Sequence, residues 1–249
     1  MEPTNDKSTA ESPVPLSIEV SVVIPCRNEE RTLAGCILEA LEACKSAGIS
    51  GEVIVANNGS TDNSQAVAEA HGARVVDVQE VGYGNALRGG IAQARGKFIV
   101  MGDADGSYQF CEIPRFVDQL RNGFDLVMGN RFKGGIDPGA MPWLHRYFGN
   151  PVLSWIGRRL FRSPIGDFQC GLRAFSRQAY DAMQTTAPGM EFASEIVVRA
   201  TQMNLRVTEI PIQLKPDGRN GPSHLRTWRD GWRNICLMAR LRFQSRRGT

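Results

Sequence analysis

The sequence predicts an α/β fold: a mostly parallel sheet with helices on both faces, in a single domain followed by an amphipathic C-terminal segment. Three observations predict it. Short runs rich in β-branched residues alternate with helical patterns, and the polar clusters follow the ends of those runs. The chain's 249 residues, 42% of them hydrophobic, are enough for one sizeable core.

The elements follow in order. Residues 1–17, MEPTNDKSTAESPVPLS, are rich in Pro, Ser, Thr and acid and predict a disordered arm. Val20 to Ile24 reads as a strand, and Leu33, Ile37, Leu41 and Cys44 recur at helical spacing behind it. Val53 to Ala56 is the second strand, followed by the polar turn NNGSTD and a helix from about Asp62 to Ala70. Arg74 to Val78 is the third, with a helix over Gly82 to Ala94 after it. Lys97 to Met101 is the fourth, and Leu126 to Met128 a later one. The domain is expected over 18–225, divided at 108/109, with 226–249 as a basic amphipathic helix.

In parallel sheets, ligands sit beyond the carboxyl ends of the strands. Pro25 to Glu29 follows the first strand, Asn57 to Asp62 the second, and Asp103 to Ser107 the fourth, so three polar clusters fall on one edge. Asp103 and Asp105 are one residue apart. Two acids this close repel each other and call for a cation or several donors. A polar turn is the alternative, since Asp and Gly are common turn residues. If the strand continued through them, alternation would aim both carboxylates at one face.

Composition narrows the function classes. A net charge of +3 is too small to argue for nucleic acid, although Arg240, Arg242, Arg246 and Arg247 crowd one end. That cluster is either a solvated helix end or a contact with an anionic membrane surface. Six dispersed cysteines without a C-x-x-C pair point to free thiols in a reducing cytosol. No apolar run approaches the roughly 18 to 20 residues of a membrane span, and the N-terminus is not a signal peptide, so a soluble or peripheral protein is expected. The glycines from Gly82 to Gly90 miss the dinucleotide spacing and do not lie in the first strand-to-helix turn, which argues against NAD.

VSVVIPCRNEE, VIVANNGSTDNS and GYGNALRGGIAQARGKFIVMGDADGSY resemble the nucleotide-sugar-binding half of family 2 glycosyltransferases with the GT-A fold. GNRFKGG, DFQCGLRAFSR, GMEFASEIVVRA and RNGPSHLR resemble segments of the polyprenyl-phosphate (dolichyl-phosphate) mannosyl- and glucosyltransferase branch. The resemblance runs from about residue 19 to 235. It implies that 18–108 binds the nucleotide sugar and 109–225 the acceptor.

It also implies roles. Asp103-Ala104-Asp105 corresponds to the D-x-D motif: Asp105 would hold Mg²⁺ or Mn²⁺, and Asp103 would face the ribose or share the metal. Pro25, Arg27, Asn28 and Glu29 match the loop that holds the nucleoside of a UDP- or GDP-hexose. Asn57 and Asn58 stand where many relatives carry Asp, and an amide offers a donor and an acceptor to a base edge. Asp62 either caps its helix or makes a direct contact. Gly84 and Arg88 would lie beside the diphosphate.

On the acceptor side, Arg131 matches the arginine that faces the acceptor phosphate, or else forms a surface ion pair. Arg173 and Arg219 are further cations near the site, and Ser223 begins Ser-His-Leu where relatives often carry Ser-Lys-Leu, in a loop expected to close over the diphosphate. If the acceptor is a hydroxyl, Asp167 is the first candidate for a general base and Glu195 the second. If it is a lipid monophosphate, the nucleophile is already an anion and Asp167 would orient it. Glu191 and Glu195 share a helix face and could instead meet solvent or pair with Arg199.

The stretch MPWLHRYFGNPVLSWIGRRLF and the segment from Trp228 to Leu241 mix aromatic, apolar and basic residues. Such stretches lie in a bilayer interface, pack on the core, or pack on a second subunit of a homo-oligomer. The reading is a metal-dependent inverting hexosyltransferase using polyprenyl phosphate, in the cytoplasm or on the cytoplasmic face of a membrane. The alternatives are transfer to a soluble hydroxyl acceptor and a non-catalytic nucleotide-sugar binding protein.

Overall fold

The computed structural model describes residues 17–219 and 227–245. All of the expected arm except Ser17 lies outside the described residues, as do Ser223 and the rest of the Ser-His-Leu triplet.

The alternation is present. β1 (Val20–Cys26), β2 (Gly51–Asn57), β3 (Arg74–Asp77) and β4 (Phe98–Met101) are separated by α1 (Leu33–Ser46), α2 (Ser64–Ala70) and α3 (Tyr83–Gln93). A 3-10 turn (Phe110–Glu112) leads into α4 (Ile113–Arg121), β5 (Leu126–Asn130) and the short α5 (Arg131–Gly134). Next come a π-helical turn (His145–Gly149), α6 (Asn150–Phe161), β6 (Arg173–Ser176), α7 (Arg177–Met183), α8 (Phe192–Gln202), β7 (Val207–Pro211) and α9 (Thr227–Ser245).

The seven strands form one sheet in the order β3-β2-β1-β4-β6-β5-β7. β6 is antiparallel to both of its neighbours, and the other pairs are parallel. β1, β2, β4 and β5 therefore deliver their carboxyl ends to one edge. Strand order reverses at β1, which lies between β2 and β4, the kind of switch point at which such sheets bind ligands.

Helices on both faces explain why the strands read as near-continuous apolar runs: Val20, Val22, Val23 and Ile24 are all fully buried. α1 turns Leu33, Ile37, Ala40 and Cys44 inward at helical spacing. At the start of α3, a Cβ on Gly84 would come within 2.2 Å of the Ala187 carbonyl oxygen. Only glycine lets this helix dock on the 184–191 segment.

One local expectation is corrected. β4 ends at Met101, and Asp103 to Gly106 form a turn, with Gly106 at φ +75°. The two acids are not on an extended strand. Asp105 Oδ1 accepts from Ser107 N at 3.0 Å and Ser107 Oγ at 2.6 Å, a side-chain turn that bends the chain off the sheet.

Candidate active site

The polar loops beyond β1 and β2 are fastened to each other. Asn28 takes a left-handed conformation, and its Oδ1 accepts from Thr61 N at 2.7 Å. Glu29 N donates to Ser64 Oγ at 2.9 Å, while Asp62 accepts from Ser64 N and Oγ through one oxygen and from Glu30 N through the other. Asp62 thus opens α2 and ties it to the first loop. Arg27 is exposed and Pro25 half-buried at the end of β1.

The two asparagine amides are committed to the chain. Asn57 Nδ2 donates to Asp77 Oδ1 at 2.8 Å, and its Oδ1 accepts from Ser60 N. Asn58 Nδ2 donates to the carbonyls of Val78 and Glu80, and its Oδ1 accepts from Gly82 N at 2.7 Å. Asn57 ties its own turn to the end of β3 and Asn58 shapes the entrance to α3, so both amides are engaged within the chain.

The carboxylates converge beyond β1 and β4. Glu29 is 7% exposed and Asp105 8% exposed, and Arg219 joins them. Its Nη1 lies 3.1 Å from Glu29 Oε1, and its Nη2 lies 2.9 Å from Asp105 Oδ2 and 3.2 Å from Asp217 Oδ2. The segment after β7 carries Arg219 there by laying its backbone on the Asp turn: Gly218 N donates to Asp105 O, and Lys215 N to Ser107 O. Asp103 accepts a 2.9 Å bond from the Tyr83 hydroxyl, and Ala104 is buried between the acids.

The site is electrostatically loaded. Burial pushes the Glu29 carboxyl up to about 7; Arg219 opposes this and Asp105 adds to it. Burial, reinforced by the charge of Asp105, lifts Asp103 to about 6 against the Tyr83 hydrogen bond. Among the described residues no cluster of three or more His, Cys, Asp or Glu is arranged to hold a metal. Two hard carboxylates on one turn fit a different arrangement, in which Mg²⁺ or Mn²⁺ takes one or two protein oxygens and completes its shell from phosphate and water. Asp103 and Asp105 are the residues that would hold it.

Arg131 and Asp167 stand against each other. Arg131 Nε and Nη2 donate to the two oxygens of Asp167 at 2.7 and 2.8 Å, and Arg131 N donates to Oδ2. Asp167 is fully buried and Arg131 nearly so. The surface ion pair considered for Arg131 is corrected to a buried bidentate pair, because Glu209 holds the Asp167 loop in place through Gly166 N and Asp167 N. Tyr108 lies beside it, 3.4 Å from Arg131 Nη1, and accepts from Gly171 N.

The hydrogen bonds of the other candidates go elsewhere, although the charge of Arg173 still reaches Asp103. Glu195 is fully buried and accepts from Thr186 N, Ala187 N and Arg199 Nε, so it neither meets solvent nor reaches the Asp turn. Glu191 pairs with Arg233 of α9 at 2.6 Å. Arg173 is fully buried and serves the carbonyls of Cys170 and Ala193. Arg88 reaches the Thr186 carbonyl at 3.4 Å, beside the buried Gly84. Tyr83, Tyr108, Asp217 and Glu209 were not singled out from sequence. Tyr83 alone carried a signal, opening a helix inside a Gly-rich turn.

A family model, glycosyl transferase family 2, matches residues 21–183. The low-salt glycan biosynthesis hexosyltransferase Agl6 of Haloferax volcanii is 40% identical over 220 residues, 88% of this chain, and the chain spans about half (52%) of that relative's length. A dolichyl-phosphate hexose transferase of the same organism is 27% identical, with 90% of this chain and 96% of the relative covered. Among solved structures, glucosyl-3-phosphoglycerate synthase of Mycobacterium tuberculosis with phosphoglyceric acid matches with a TM-score of 0.71 at 22% identity, covering 90% of this chain and 79% of that one. Its complex with Mn²⁺, UDP-glucose and phosphoglyceric acid has a TM-score of 0.68, also at 22% identity. These structural likenesses show the GT-A fold. With the family model matched over well more than half of its residues, the chain belongs to the family 2 glycosyltransferases.

Proposed function

We propose that the chain transfers a hexose, glucose or mannose, from a UDP- or GDP-sugar to polyprenyl phosphate with inversion at the anomeric carbon. The observation that carries the reading is the Asp103-Ala104-Asp105 turn at the end of β4, bridged to Glu29 by Arg219. A bound divalent cation would supply charge neutralisation for the departing diphosphate. Asp103 and Asp105 would hold that cation, and the loop from Pro25 to Glu29 would carry the nucleoside. Arg219 is the positive charge of the donor side, held between Glu29 and Asp105.

An acceptor phosphate oxygen attacks the anomeric carbon as the bond to the diphosphate oxygen breaks, and no proton has to be removed. In this reading Asp167 orients Arg131, and Arg131 Nη1, the guanidinium nitrogen outside the pair with Asp167, faces the acceptor phosphate. The dolichyl-phosphate hexose transferase among the relatives supports a lipid acceptor, and the Mn²⁺ and UDP-glucose of the structural neighbour support metal and nucleotide sugar. The protein would work peripherally, on the cytoplasmic face of a membrane.

The test is release of UDP or GDP from a panel of nucleotide sugars, with and without Mn²⁺ and polyprenyl phosphate. Metal-dependent release with label passing into an organic extract is the expected result. Label in a water-soluble product would replace the lipid acceptor with a soluble hydroxyl. Tight nucleotide binding without turnover would leave a binding protein.

A further inference from the structure

We propose that the outer faces of α6, the π turn before it and α9 form a docking surface for an anionic lipid bilayer. This deepens the lipid-acceptor reading and rests on it only for its purpose, not for its chemistry. The observation is a concentration of exposed aromatics: Trp228 is 83% exposed, Trp232 67%, and Trp143, Trp155 and Phe243 64% each. Tyr147, Phe148 and Val152 are exposed between them. Trp143 packs its ring against Tyr147 and Phe148 at 5.8 and 5.3 Å, and exposed apolar clusters of this kind mark interaction sites.

α9 shows that the exposure is built in. Its inner stripe, Leu237, Met238 and Leu241, is buried, and the helix packs on α6, α8 and the π turn. A second stripe, Trp228, Trp232, Ile235 and Phe243, recurs at helical spacing on the outside. A helix apolar on two sides has one side left to bury.

Charge decides the occupant. Residues 143–162 carry four arginines and no acid, and α9 carries four arginines and one acid, Asp230. Among the described residues no carboxylate pairs with Arg158, Arg159, Arg162, Arg229, Arg240 or Arg242. A twofold contact with a second copy would set these arginines against themselves. An anionic headgroup layer neutralises them while tryptophans enter the interface. Arg162 and Arg242 also line, with Leu160, Phe161 and Gln202, a cavity of about 370 Å³, a seat for one headgroup phosphate.

The surface adjoins the acceptor side. A cleft of about 310 Å³ runs from Asn130 and Gly166, beside the Arg131–Asp167 pair, to Lys133, Trp155 and Arg158. Docking through this face would bring a lipid phosphate toward the site; among the described residues no helix is long and apolar enough to cross a membrane.

The experiment is co-sedimentation of the full chain with phosphatidylcholine vesicles, with and without phosphatidylglycerol, and with no nucleotide sugar or polyprenyl phosphate. The protein should pellet with anionic vesicles, and added salt should release it. The double variant Trp228→Ser/Trp232→Ser should bind about tenfold more weakly or worse. Both side chains are exposed, and an unchanged thermal melt will show that the variant is folded. Equal pelleting with neutral vesicles, no pelleting at all, or a variant that binds like the parent overturns the proposal. So does a dimer in light scattering that the double variant dissolves, since the face then belongs to a second copy. Transfer to detergent-dispersed polyprenyl phosphate is measured separately: its failure removes the acceptor reading, while failure on vesicles alone removes only the docking surface.

Discussion

Arg219 Nη2 lies 2.9 Å from Asp105 Oδ2, and the same guanidinium reaches Glu29 at 3.1 Å, so one arginine bridges the acids that end two different strands. Without it, two buried carboxylates would face each other across the ligand edge of the sheet. Arg219→Gln should therefore destabilise the metal-free protein by about 1–3 kcal/mol at neutral pH. Urea unfolding checks this, and saturating Mn²⁺ should recover part of the loss. A variant as stable as the parent would show that the bridge carries no weight.

Asp103→Asn separates fold from function. The amide oxygen can still accept from the Tyr83 hydroxyl, so stability should change by less than about 1 kcal/mol. Mn²⁺ affinity, read by titration calorimetry, should fall at least about tenfold if the proposed carboxylate ligand is lost. Asp105→Ala should abolish metal-dependent nucleotide release. Turnover in either variant that persists with metal chelated would remove the metal from the reaction.

The pH dependence has a definite direction. Asp103 and Glu29 titrate near 6 and 7 in the fold, above their ordinary 3.8 and 4.5, so the native state holds more protons than the unfolded chain between those limits. Their contribution to metal-free stability is greatest at the acid end of that window and declines as pH rises through 6 to 7. Mn²⁺ affinity should move the other way, rising with pH by up to about tenfold per unit for each proton displaced. Unfolding and calorimetry across about pH 5 to 8, compared with Asp103→Asn, test both slopes. A flat affinity profile contradicts the raised values.

The Arg131–Asp167 pair should behave as a buried unit. Arg131→Ala leaves a fully buried carboxylate without its counter-ion and should cost about 3–5 kcal/mol. The double variant Arg131→Met/Asp167→Leu should recover most of this while losing transfer. Thermal melts of the parent, Arg131→Met, Asp167→Leu and the double variant give the coupling, and additive losses would mean that the pair does not act together.

Gly84→Ala places a methyl 2.2 Å from the Ala187 carbonyl oxygen. The helix must then move off the 184–191 segment, at about 1–3 kcal/mol. Because Tyr83 opens that helix and reaches Asp103, nucleotide affinity should fall with stability. Melting with and without UDP reads both, and a neutral substitution would mean that the contact is loose.

The parallel half of the sheet was legible because its signals are local. β-branched runs, helical spacing from Leu33 to Cys44 and polar clusters after the strands each span fewer than twenty residues, and β1, α1, β2, α3 and β4 lie where those signals put them. Asp103 and Asp105 were legible for the same reason, as a short motif at a strand end. β6 and β7 were not anticipated, since RAFS has only two apolar residues in a row and VTEIP breaks its apolar positions with Thr208 and Glu209, so neither shows the continuous apolar run of a buried strand.

The tertiary structure decided the partners. Asp105 and Arg219 are 114 residues apart, and Arg131 and Asp167 are 36 apart; no local pattern announces either pair. They meet because β6 inserts antiparallel between β4 and β5 and the segment after β7 crosses the Asp turn. Burial in that assembly locks Asp167 onto Arg131, draws Glu195 into the 184–191 segment and raises Glu29 and Asp103. Sequence by itself determined the sheet edge and the acids that line it. The contacts that give each acid its charge partner arise only once residues distant in the chain are packed together, because the desolvation and the pairing both come from that packing.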